Sequence, residues 1–72
     1  MMSSGTILMT QRIEEEIRRA THGNIAYLEV ADHGDAIVLN GCCPTLSCKE
    51  LAQDAALAWI GDTRLINQIE IR

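Results

Sequence analysis

Phenylalanine is missing from this 72-residue chain, and Trp59 and Tyr27 are its only aromatic residues. A core without phenylalanine must be assembled from Ile, Leu, Val and Ala, and Trp59 is expected to supply its one large piece. A chain of this size buries only about 60% of the surface its unfolded state exposes. One modest core must carry the fold, with a thin margin that self-association would widen. Basic residues are also scarce: six Lys and Arg stand against ten Asp and Glu, a formal charge of −4. No lysine or arginine run occurs, and Arg12, Arg18 and Arg19 are offset by Glu14, Glu15 and Glu16 nearby. The electrostatic footprint of a nucleic-acid-binding surface is therefore missing, and attraction to anionic lipid headgroups is weak.

No apolar run is long enough for a transmembrane segment. Residues 1–10 lack the basic start, long apolar stretch and small-residue cleavage site of a signal peptide. A cytoplasmic location is expected, or an envelope one if the chain is trimmed from an exported precursor. The three cysteines are an odd number, which suits a reducing compartment better than a disulfide framework. There is no serine, histidine and acid constellation, no G-x-G-x-x-G and no phosphate-binding loop. The expectation is a non-enzymatic protein without a cofactor or metal.

What is present divides into five elements. Residues 1–9 read as a flexible tail and residues 10–72 as a single domain. Thr10 is placed to cap a helix over residues 11–21. Ile13, Ile17, Ala20 and Thr21 share its buried face, and Glu14–Arg18 and Glu15–Arg19 are spaced as ion pairs. Gly23 or Asn24 is expected to end it. Residues 25–31 alternate, with Ala26, Leu28 and Val30 on one side and Tyr27 and Glu29 on the other. Asp32, His33, Gly34 and Asp35 form a turn. Residues 36–43 make the return strand of a hairpin, with Ile37, Leu39, Gly41 and Cys43 opposite Val38, Asn40 and Cys42. Pro44 ends that strand, and Thr45 or Ser47 caps a second helix. Cys48, Leu51, Ala52, Ala55, Ala56 and Trp59 form its apolar stripe, and Gly61 suits the left-handed position that stops it. In the last strand, over residues 65–71, Leu65, Asn67, Ile69 and Ile71 oppose Ile66, Gln68 and Glu70. A strand–helix–strand unit favours a parallel pair. The fold class is then α+β in the order α-β-β-α-β, a three-stranded mixed sheet with two helices packed on one face and the other face open.

These residues and spacings resemble the BON domain, a small bacterial module named for osmotic-shock and nodulation proteins. Ile13, Ile17 and Ala20 fit its opening helix of the form I-x-x-x-I-x-x-A. Leu28 and Val30 fit its first strand, and Ile37, Leu39, Gly41 and Cys43 its V-x-L-x-G-x-V strand. Gly61 is similar to its closing glycine, and Leu65, Ile66, Asn67, Ile69 and Ile71 to its final strand. The match covers residues 11–71. Cys43 replaces a usual valine, and Asp62 stands where a small apolar residue is common. The resemblance implies a binding module associated with phospholipid or the cell envelope, and it implies no reaction.

From the residues themselves, the candidate binding surface is the open sheet face, where Tyr27, Val38, Cys42 and Ile66 are expected to form a small apolar patch with Tyr27 at its centre, rimmed by Glu29, Asn40, Gln68 and Glu70. A lipid or protein partner fits it, and so does a second copy of the chain. Gly41, Gly61 and Asn67 are assigned structural roles, Asn67 because an amide in an apolar row must find partners. Cys43 and Cys48 read as small core hydrophobes, while Cys42 on the open face is the more exposed thiol. Structural zinc uses cysteine pairs held apart by a short spacer, which the adjacent Cys42 and Cys43 do not provide.

Overall fold

Ile13, Ile17 and Thr21 recur every four residues, and the segment that carries them buries all three. The computed structural model describes residues 5–72, with side chains described from residue 9 onward. Its elements run α1 (Gly5–Ala20), β1 (Ala26–Asp32), β2 (Ala36–Cys43), α2 (Leu46–Ile60), β3 (Arg64–Asn67) and β4 (Glu70–Ile71). Helix α1 begins earlier than the sequence reading placed it, inside the expected tail and ahead of the expected cap at Thr10. No glycine or proline follows Gly5 to break it, and Met9 extends the Ile13–Ile17 stripe by one more step. Residues 1–4 of that tail lie outside the described residues.

At the other end of α1, the Gly23 amide donates to the Arg18 carbonyl at 2.8 Å and the His22 amide to Arg19 at 3.3 Å. This is the Schellman arrangement, with His22 (φ 55°) in its left-handed position ahead of Gly23. The buried Thr21 hydroxyl donates to the Ile17 carbonyl at 2.7 Å. Arg18 pairs with Glu14 at 2.6 Å as its spacing predicts, whereas Arg19 reaches Glu16 at 3.3 Å rather than Glu15.

Strand β2 is central. β1 lies antiparallel on one side of it, and β3 and β4 lie parallel on the other. β3 and β4 keep one register along β2, from Ala36↔Arg64 to Cys43↔Ile71. The Gln68 amide continues the ladder between them, donating to Leu39 at 2.8 Å. The two therefore act as one interrupted edge strand, and the expected three-stranded mixed sheet is present. Ile37, Leu39, Cys43 and Ile69 from the sheet meet Ile13, Ile17, Cys48, Ala52, Ala56 and Ile60 from the helices in one core.

Helix α2 starts at Thr45, whose hydroxyl accepts the Cys48 amide at 3.2 Å. Its buried face is Cys48, Ala52, Ala56 and Ile60, with Ala55 beside it. That differs from the expected stripe. Each four-residue step overshoots a helical turn, which carries the face toward Ile60 and leaves Leu51 46% exposed. Trp59 is 42% exposed and is not the large core piece. It stands in the last turn of α2, where the Arg12 guanidinium lies 5.5 Å from its ring centroid, a cation–π contact. Gly61 ends the helix at φ 57°, ψ −121°, outside the left-handed helical position expected for it although its φ is positive, and the Thr63 amide donates to Ile60 at 3.0 Å. These are the features of a type II′ turn with Gly61 at its first central position.

Candidate functional site

The hairpin that carries the open face has a β-bulge. The pairs Glu29↔Asn40 through Asp32↔Ile37 share one register, and Ala26↔Cys42 is displaced from it by one residue of β1. That extra residue reverses the alternation expected for β1. Ile25 is buried and Ala26 exposed, the opposite of the sequence reading, while Leu28 keeps its place in the core. Tyr27 sits in the bulge with a left-handed backbone (φ 57°), a conformation that costs a residue with a Cβ roughly 1–2 kcal/mol. Its side chain is 89% exposed.

Across from the bulge is Gly41, with φ 152°. A Cβ on Gly41 would lie 2.8 Å from Ile25 Cγ2 and 3.0 Å from the Ala26 carbonyl oxygen. The glycine is required because the bulged backbone of β1 presses onto β2 at this point. Its structural assignment has a specific physical cause.

On the face away from the helices, strand register sorts the side chains into rows. Ala31, Val38 and Ile66 form an apolar row, all three half-buried. Next come Glu29 and Asn40, with Gln68 beyond them on the neighbouring strand. The third row is Ala26, Cys42 and Glu70. The polar residues expected on the rim of a small apolar patch instead run through it, so that Glu29, Asn40 and Gln68 separate Val38 and Ile66 from Cys42. Tyr27 lies at the bulge of an edge strand, not at the centre. Val38, Asn40, Cys42 and Ile66 do share the uncovered face with Gln68, as the alternation of β2 and the last strand required.

Beside Cys42 is a shallow depression of about 230 Å³ lined by Asn24, Ala26, Cys42, Cys43, Pro44 and Arg72. Arg72 donates to Glu70 at 2.8 Å. That hydrogen bond, followed by the nearby charges of Cys42 and Glu70, raises the pKa of its guanidinium. Arg72 thus pairs with Glu70 at the end of the face, a feature the sequence reading missed because the register of the last residues sets it.

Asn67 acts structurally. Its Nδ2 donates to the Lys49 carbonyl at 3.2 Å, tying β3 to α2, and its Oδ1 accepts the Ile69 amide at 3.1 Å. The second bond satisfies an outward-facing donor on an edge strand, which blunts the edge against further pairing.

Cys43 and Cys48 come together under the first turn of α2. Both are buried. Cys43 Sγ donates to the Thr45 carbonyl at 3.3 Å, and the Cys48 amide donates to the hydroxyl of the same Thr45. Burial, followed by the charge and hydrogen bonding of the neighbouring Cys43, raises the pKa of the Cys48 thiol. The sequence carried the signal for this proximity: a core-facing strand end and a core-facing position in the first turn of the next helix. Among the described residues, no group of three or more His, Cys, Asp or Glu side chains is placed to hold a metal ion, and no helix is long and apolar enough to cross a membrane.

No protein-family model matches the chain, and neither a curated protein nor a solved structure matches it.

Proposed function

We propose that this chain is a non-enzymatic, BON-like binding module that engages protein through the uncovered face of its sheet, with a second copy of itself the first partner to test. The observation that carries this reading is the composition of that face. An apolar row (Ala31, Val38, Ile66) runs beside a row of hydrogen-bonding groups (Glu29, Asn40, Gln68), with the exposed Tyr27 beyond the polar row at the bulge of the edge strand. Mixed rows with an aromatic anchor suit a protein surface, which offers both apolar and polar groups. The phospholipid association implied by the BON resemblance is the second reading. Glu29, Glu70 and the net charge of −4 work against an anionic bilayer.

The test is light scattering across a concentration series, followed by residue-resolved NMR titration with anionic and with neutral vesicles. Protein association predicts a mass that rises with concentration and falls back to the monomer in a Val38→Thr, Ile66→Thr double variant that stays folded. Signal loss on this face with vesicles, in a protein that stays monomeric, would favour the lipid reading instead. A monomer that is silent to vesicles would overturn both assignments of partner.

A further inference from the structure

We propose that the free edge of β1 receives an extended basic peptide, antiparallel to it, in which lysine or arginine alternates with apolar residues. β1 ends the sheet on one side, with β2 as its one partner strand. The His33 amide donates to the Ala36 carbonyl at 2.9 Å. By alternation, the hydrogen-bonded pairs of the hairpin are then His33–Ala36, Ala31–Val38 and Glu29–Asn40. The amides and carbonyls of Val30 and Asp32 therefore point away from β2, and among the described residues they find no backbone partner. The opposite edge differs: β3 and β4 interrupt it, and Asn67 Oδ1 occupies the Ile69 amide. What completes the row of donors and acceptors on β1 is another extended strand.

Charge decides which strand. From Ala20 to Cys48 there is no lysine or arginine, while Glu29, Asp32 and Asp35 stand exposed on β1 and its turn. Two copies laid edge to edge would bring both sets of carboxylates together. The charges that repel a second copy at this edge attract a basic strand. The alternation follows from the two faces of β1. On the uncovered face, a basic side chain on the added strand would sit beside Glu29. On the other, Val30 is half-buried at the margin of the core, and an apolar side chain opposite would cover it. The bulge at Tyr27 and the turn after Asp32 close the accepting stretch at its two ends. This contact uses backbone groups of the edge, which association through the sheet face does not.

The test uses two N-acetylated peptide amides of alternating lysine and valine, one N-methylated at every lysine and the other at every valine. The two isomers share composition and charge. In antiparallel pairing the valines lie opposite Val30 and donate to β1, so the N-methyl-lysine isomer keeps the required amides and the N-methyl-valine isomer lacks them. The readout is NMR-detected amide exchange. With the free N-methyl-lysine isomer at about ten times its Kd, exchange at Val30 and Asp32 is expected to slow about tenfold. The N-methyl-valine isomer leaves both amides unchanged, and Ala31, already paired with Val38, serves as the internal reference. Glu29→Lys, an exposed substitution, raises the Kd. The proposal is overturned if the two isomers act alike, if the N-methyl-valine isomer protects better, or if protection falls away from Val30 and Asp32. Light scattering reads self-association through the sheet face separately, so either reading can fail alone.

Discussion

Tyr27 holds a left-handed backbone while its side chain touches almost nothing, so its cost is not recovered by local packing. Glycine there would relieve roughly 1–2 kcal/mol of backbone strain and give back part of it as unfolded-state entropy, about 0.5–1 kcal/mol. Tyr27→Gly is therefore expected to stabilise the monomer by about 0.5–1 kcal/mol, read as a higher urea midpoint with an unchanged slope. If Tyr27 anchors a partner, the same variant should associate more weakly while folding better. A second expectation concerns pH. The Cys48 thiol has its pKa raised in the folded state, chiefly by burial. A raised pKa means that folding favours the protonated thiol. The stabilising contribution is complete below the unfolded-state pKa and is lost as pH rises through the folded value. Chemical denaturation at stepped alkaline pH should show stability declining there, and Cys48→Ala should remove that component of the decline.

At the level of elements, the bulge and its facing glycine are one device. Gly41→Ala places a methyl group 2.8 Å from Ile25 Cγ2 and 3.0 Å from a backbone oxygen, and overpacking of that kind costs about 1–3 kcal/mol. Gly61→Ala meets no atom within 4 Å and should lose only the conformational cost of its turn, about 1–3 kcal/mol. Hydrogen exchange separates the two: Gly41→Ala should expose the β1–β2 ladder, Gly61→Ala only the end of α2. The helices and β2 were legible because their signal is periodic. Ile13, Ile17 and Thr21, and Ile37, Leu39 and Cys43, repeat at the spacing of their elements, and the open face of β2 followed from the same alternation. The bulge was not legible from β1, since one inserted residue leaves composition untouched and reverses every assignment beyond it. Gly41 on the opposite strand marked the place without giving the cause. Trp59 was misplaced for a different reason: it shares the angle of Cys48 and Ala52, but by the last turn of α2 the buried face has moved round to Ile60.

For the molecule as a whole, the sheet has one interior strand, with hairpin pairing on one side and a helical crossover on the other. The hairpin closes over a short loop, whereas β3 must wait for α2, so loop-closure entropy favours forming the β1–β2 pairing first. Local opening should accordingly be easier in β3 and β4 than in the hairpin, with faster amide exchange at Gln68 and Arg72 than at the paired amides of Ala31 and Val38. Comparable exchange at the two sets would contradict that order. The placement of the two aromatic rings has a consequence for observation. Tyr27 is 89% exposed and Trp59 is 42% exposed, so every ultraviolet chromophore of appreciable strength among the side chains lies at the periphery. Intrinsic emission then reports the end of α2 and its Arg12 neighbour, and the aliphatic centre is optically silent. A fluorescence transition that precedes the loss of far-ultraviolet ellipticity would record the ring leaving Arg12, not a populated folding intermediate.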